Sequence, residues 1–212
     1  LLSILVLCFC FSATAQNVSW QQIGQDLEGA GVNDYYGHAL SISSNGHTLA
    51  IGAPETPSGQ LGYVSVYELN GADWIQKGQN IFGQASQQRL GSSVALSNNG
   101  DTLIVGCQGP NTFTGSVYVY VWDGNSWEQL GQTLFGDFEW DEFGRAVDIS
   151  SDGSIIAIGG KEHDDVGLYN NVGHTRVYQY NGAAWLQLGD DIVGDSSGDF
   201  SGHSVSLSSD GN

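Results

Sequence analysis

Short runs of large apolar residues recur along this chain in one order, separated by glycines at nearly constant intervals. TLAIGA (48–53), TLIVGC (102–107) and IIAIGG (155–160) are almost continuously apolar, the pattern of a strand buried on both faces. Each is preceded by an alternating run, such as SSVALS (92–97) or RAVDIS (145–150), and followed by another, such as YVSVYELNG (63–71) or SVYVYVWDG (116–124). A fourth run opens at a tryptophan: SWQQIGQDLEG, DWIQKGQNIFG, SWEQLGQTLFG and AWLQLGDDIVG share Trp-x-Gln-x-Gly. Alternation predicts a strand here too, and the internal Gly24, Gly78, Gly131 and Gly189 predict a bulge or bend within it.

Trp20, Trp74, Trp127 and Trp185 are spaced by 54, 53 and 58 residues, so the chain is a repeat protein. All variation lies in one loop, between Gly52 and Gly62, Gly106 and Gly115, or Gly159 and Gly173. Asn-Gly or Asp-Gly closes the first and third runs, as at Asn45-Gly46 and Asn70-Gly71, and predicts tight hairpins of the type I′ kind. Four antiparallel strands per unit, unable to bury both faces alone, are the blades of a β-propeller. A parallel β-helix would need a shorter period and no paired Asn-Gly turns.

The predicted fold is all-β. Residues 16–212 form part of a propeller: a fourth strand of a closing blade at 18–29, blades at 37–83, 91–136 and 144–194, and the start of another at 202–212. Three blades and two unpaired pieces cannot close a ring, so the expectation is a fragment of a longer chain, about seven blades in the ring. Residues 1–15, LLSILVLCFCFSATA, read as the apolar core and small-x-small cleavage site of a signal peptide lacking its basic start. That places the protein in the secreted or cell-surface class. Removal of the leader takes Cys8 and Cys10 and leaves Cys107, so no intramolecular disulfide is expected.

GHALSISSNGHTLAIGAP, GSSVALSNNGDTLIVGC and FGRAVDISSDGSIIAIGG resemble the FG-GAP repeats of integrin-α-type seven-bladed propellers. Phe143-Gly144 is the literal Phe-Gly and Gly52-Ala53-Pro54 the literal Gly-Ala-Pro. In style the repeats resemble those of secreted or surface proteins of Bacteroidetes-like bacteria. The resemblance implies adhesion, scaffolding or catalysis, since propellers of this kind serve all three. Integrin-type repeats carry a calcium loop, Asp-x-Asp-x-Asp-Gly, in the first hairpin. Here the matching positions are Ser43-Ser44-Asn45-Gly46, Ser97-Asn98-Asn99-Gly100 and Ser150-Ser151-Asp152-Gly153. With one carboxylate at most, those calcium sites do not carry over.

Charge narrows the ligand. Five Lys and Arg against 23 Asp and Glu give a net −18, which argues against nucleic acid or an anionic membrane surface as partner. Fixed loops of eight residues precede each blade, and Asp34, Asp141 and Asp199 share one position in them, with Gln88 in the fourth. A recurring Asp reads as an Asx-type turn onto backbone N–H groups. The loop before the third blade departs from the others: Asp137, Glu139, Asp141 and Glu142 surround Phe138, Trp140 and Phe143. The variable loop of that blade is the longest and begins Lys161-Glu162-His163-Asp164-Asp165. Aromatic rings beside carboxylates suit a sugar, with stacking on the ring and hydroxyl hydrogen bonds to the acids, or a cation such as calcium. The competing view is a solvated acidic rim.

Asp137, Glu139, Trp140, Asp141, Glu162, Asp164 and Asp165 are therefore the candidate ligand-binding residues. No cofactor is called for and no transition-metal spacing is present among the five histidines. The expected function is non-enzymatic binding or adhesion to an extracellular glycan, peptide or protein. The alternative is a secreted hydrolase or lyase with its active site at the channel mouth, for which no blade supplies an evident catalytic set.

Overall fold

A computed structural model describes residues 20–55, 61–85, 88–109, 114–162 and 171–211. The leader predicted over 1–15 lies outside them. Blade one holds β1 (Ala39–Ile42), β2 (Thr48–Ala53), β3 (Tyr63–Asn70), β4 (Asp73–Gln76) and β5 (Ile81–Phe82). Blade two holds β6 (Leu90–Leu96), β7 (Thr102–Cys107), β8 (Ser116–Trp122), β9 (Trp127–Gln129) and β10 (Leu134–Phe135). Blade three holds β11 (Phe143–Ile149), β12 (Ile155–Gly160), β13 (His174–Tyr180), β14 (Trp185–Gln187) and β15 (Ile192–Val193). Every pairing within a blade is antiparallel and the described residues contain no helix, so the chain is an all-β propeller of four-stranded blades.

The outer strand of each blade comes in two pieces, both paired to the third strand. Its break falls at the predicted glycines: Gly78, Gly131 and Gly189 take φ of 77°, 75° and 69°, in the left-handed region that favours glycine. The hairpins differ from the predicted type I′. In the first, Ser43 N–H donates to Thr48 O at 2.8 Å and Gly46 N–H to Ser43 O at 2.9 Å, which makes a four-residue loop. Gly46 alone has positive φ there. The reason is Asn45: its Oδ1 accepts from Ser43 Oγ (2.7 Å) and His47 N–H (2.9 Å), an Asx turn that satisfies the loop without left-handed Asn. Asn99 and Asp152 repeat the arrangement with Ser97 and Ser150. The second hairpins put Gly71, Gly124 and Gly182 at the first central position, the glycine placement of a type II′ turn.

The middle sheet buries both faces by packing against its neighbours, and the sheets of blades one and three each bury the face turned toward it. Ala50, Val64 and Val66 of blade one meet Val94, Leu96, Leu103 and Val105 of blade two. The opposite face of blade two, with Ile104, Val117 and Val119, meets Ile149, Ile156 and Ile158 of blade three. Each such side chain contributes about 1.5–3 kcal/mol by leaving water. Leu40 and Ile42, on the outward face of blade one, are 61% and 56% exposed, against 8% and 9% for Val94 and Leu96 at the matching positions.

The joints explain the Trp-x-Gln-x-Gly signature. Trp127 Nε1 donates to Lys77 O at 2.9 Å and Trp185 Nε1 to Leu130 O at 2.9 Å, each reaching the carbonyl just before the glycine of the preceding blade. Gln132 then clamps the next blade, donating to Trp185 O (2.7 Å) and accepting from Trp185 N–H (3.0 Å). Gln25 does the same to Trp74, at 2.7 and 3.1 Å, and Trp74 Nε1 reaches Ile23 O at 3.2 Å. Residues 20–29 thus lie against blade one as an outer strand lies against the blade that follows it. Nearer the inner strands, a Cβ at Gly52, Gly106 or Gly159 would run into the carbonyl of Gly91, Gly144 or Gly202 of the following unit.

Candidate functional site

Strand register sorts the connections into two faces. The Ser-x-Asn/Asp-Gly hairpins sit at one end of the strands, while the fixed and variable loops emerge together at the other. On the hairpin face, backbone bonds from Ser44 N–H to Asn98 O (3.1 Å) and Asn98 N–H to Ser151 O (2.9 Å) tie blade to blade, leaving little that can vary. Variation is concentrated on the loop face.

A common frame supports the fixed loops. Asp34 accepts from Gly31 N–H and Tyr36 N–H, both at 3.1 Å, and from Tyr63 OH at 2.8 Å. Burial alone would raise its pKa, but these hydrogen bonds, that of Tyr63 largest, hold it below the usual carboxylate value. Asp141 is fully buried and accepts from Asp137 N–H (3.0 Å) and Phe138 N–H (2.9 Å), and Asp199 accepts from Ser196 N–H at 2.7 Å. In blade two Gln88 takes the role, accepting from Gln84 N–H at 2.6 Å and donating to Tyr118 OH at 2.6 Å. This is the turn geometry expected of a recurring Asp, and it turns the Asp141 carboxylate toward the loop's own backbone.

The frame also demands left-handed backbone. Tyr35, Arg89, Glu142 and Phe200 share one such position, with φ of 56°, 54°, 50° and 52°. A second is filled by Asn33 (65°) and Gly198 (81°), residue types that tolerate it, but by Trp140 (79°) before blade three. A tryptophan held there costs on the order of 1–2 kcal/mol. The residue stays 39% exposed beside the half-exposed Phe138 and the exposed Glu139.

Asp137, Asp191, Glu142 and Glu162 are held in ion pairs. Arg176, buried in β13, donates from Nε to both oxygens of Asp191 at 2.9 Å and from Nη2 to Asp191 Oδ2 at 2.7 Å, and it also pairs with Asp137. Its guanidinium lies 5.7 Å from the Phe143 ring centroid. Hydrogen bonding to Arg176 is the main cause that holds the Asp191 carboxyl below its usual value. Lys161 bridges Glu142 (3.1 Å) and Glu162 (2.7 Å), and Glu162 N–H donates to Asp141 O at 3.3 Å, joining the variable loop to the fixed loop. The structure therefore brings Asp137, Glu139, Trp140, Asp141 and Glu162 onto one stretch of the loop face. Asp164 and Asp165, with His163, lie outside the described residues. Cys107 is buried, and burial pushes its thiol far above the ordinary value, so it has no thiolate to offer.

Arg176, Lys161 and Asp191 did not figure among the candidates. Arg176 occupies a third-strand position where the other blades have Ser65 and Tyr118, so a lone charge in an otherwise neutral repeat column was the available signal.

Solved structures show the same fold. The chain is similar to Sqt1 of Saccharomyces cerevisiae, with TM-score 0.50, 14% identity, and coverage of 77% of this chain and 38% of that one. It is similar to a putative 6-phosphogluconolactonase from Bacteroides uniformis, with TM-score 0.50, 15% identity, and coverage of 72% and 40%. The chain thus spans about two fifths of the length of either. No protein-family model matches it, and no curated protein matches it in sequence. At such identities the likeness concerns the fold alone.

Proposed function

We propose that the protein is a non-enzymatic propeller of the FG-GAP type, secreted or displayed at the cell surface, that recognises an extracellular glycan through its loop face. A peptide or protein carrying the same chemistry is the alternative ligand. The observation that carries this reading is Trp140. A large aromatic residue is held at a left-handed position that the other described loops give to Asn33 or Gly198, and it stays partly exposed among Phe138, Glu139 and Asp137. Strain retained at a solvent-facing ring points to use of that ring. The sugar face stacks on Trp140 while Glu139, and Asp164 and Asp165 of the long loop, accept hydroxyl hydrogen bonds. Asp137 and Glu162 are held by Arg176 and Lys161 and frame the site. The secretory reading rests on residues 1–15 of the sequence.

The test is a glycan-array screen of the full protein and its Trp140→Asn variant. Loss of a central aromatic contact is expected to weaken binding by about 2 kcal/mol, roughly 30-fold. An unchanged array profile for the variant sinks the proposal.

A further inference from the structure

A second feature of the loop face stands apart from the acidic loop. Between blades one and two lies a crevice of about 240 Å³ bounded by Tyr35, His38 and Glu55 on one side and Arg89, Ser92 and Gln108 on the other. That is below the roughly 300–1,000 Å³ of pockets for drug-sized ligands and suits one small unit. We propose that this crevice binds a carboxylate carried on a single sugar ring, the acidic unit of a uronate-bearing glycan. The proposal rests on the glycan-binding reading of the loop face and names the chemistry of a separate subsite.

Charge is the first argument. In a chain of net −18 with five Lys and Arg, Arg89 stands in the crevice wall and Arg145 directly behind it, its Nη1 donating to Gln108 Oε1 at 3.3 Å. The one acid in the wall, Glu55, meets Arg89 Nη2 at 3.3 Å and offsets it, so the wall is neutral and Arg145 beside it supplies the excess cation in a protein that is strongly negative as a whole. Focused positive charge in such a field selects an anion.

Unused donors are the second. Arg89 Nε is buried without a hydrogen-bond partner among the described residues. A planar guanidinium with free donors matches a carboxylate. Because Arg145 takes the Gln108 oxygen, the network assigns the amide nitrogen as the group left to donate. Ser92 Oγ donates to Arg89 O at 2.7 Å and accepts from Gln108 N–H at 3.5 Å, which ties together the backbone segments that carry the two donors. Tyr35, 60% exposed, offers an aromatic face at the rim.

The matching joint between blades two and three supplies the contrast. Glu142 stands there in the position of Arg89, paired to Lys161 at 3.1 Å, so a carboxylate that accepts replaces the guanidinium that donates. The site thus belongs to the first joint and does not follow from the repeat.

The experiment is ligand-observed NMR on the full protein with methyl β-glucuronide and methyl β-glucoside as probes. The glucuronide is expected to bind and the glucoside to bind at least tenfold more weakly, with the difference shrinking in high salt. Arg89→Gln is expected to weaken the glucuronide about tenfold. Arg89→Lys keeps the charge without the fork, and is expected to bind several-fold more weakly than the natural protein even if Arg89→Gln fails to fold. Absence of glucuronide binding, equal binding of both probes, or unchanged binding in the lysine variant overturns the proposal. Array binding that depends on Trp140 but shows no uronate preference would leave the glycan-binding reading standing and remove only this subsite.

Discussion

Replacing Arg176 by Met keeps most of the side chain's length and removes the guanidinium that holds Asp191 and Asp137. Arg176 is nearly buried, and Asp191 has 24% of its side chain exposed, so the variant leaves a mostly buried carboxylate without its cation. Orphaning one member of a fully buried pair costs about 3–5 kcal/mol. Asp137 is half exposed and loses little to water, so the expected cost is at the lower end or below, about 2–3 kcal/mol. For a chain of this size that lowers Tm by about 4–12 °C, measured by calorimetry at pH 7. The pH dependence follows from the direction of the Asp191 shift. Its folded pKa is depressed below 3.8, so its contribution is complete above the unfolded value and disappears as pH falls through the lower folded value. The gap between natural and variant proteins is therefore full at neutrality and narrows below about pH 4. Arg176→Met with Asp191→Leu should recover most of the loss, since the orphaned charge is gone. A gap that is absent at pH 7, or that persists unchanged to pH 3, would refute the reasoning.

Other outcomes follow from the joints and the strained loop. Gly106→Ala places a methyl against Ser93 Oγ and the Gly144 carbonyl, the latter backbone that cannot move independently, and should cost about 1–3 kcal/mol in chemical denaturation. Trp127→Phe removes the indole donor to Lys77 O and should cost about 1–3 kcal/mol, with the orphaned carbonyl as the main cause. Trp140→Asn should instead stabilise the fold by about 1 kcal/mol, because Asn tolerates the left-handed position, while weakening sugar recognition by the roughly 30-fold expected for loss of a central aromatic contact. A destabilised Trp140→Asn protein would show that the ring serves packing.

Much of the architecture was legible because the repeat exposes it. Glycines recur where backbone must be left-handed or another blade approaches, and Trp and Gln recur where one blade clamps the next. The hairpin type is not set by the Asn-Gly pair alone, because Ser43, two residues before Asn45, completes the Asx turn with its hydroxyl. The recurring Asp of the fixed loops could be assigned to a turn from its position alone, and the hydrogen bonds of Asp34 and Asp141 have that form. The partners of Asp137 and Glu162 were not legible. Arg176 reaches Asp137 across 39 residues and Asp191 across 15, a meeting set by strand register and not by local spacing. The same holds for the Arg89 crevice, which exists only once Glu55 and Gln108 are brought to one joint from different blades.

The most direct test is amide hydrogen exchange of the full protein with and without a glycan that it binds. Added protection is predicted in residues 137–143 and in the loop from 161 to 172, with the hairpins at 43–48, 97–102 and 150–155 unchanged. Protection centred on those hairpins, or spread evenly over the blades, would contradict a ligand site on the loop face.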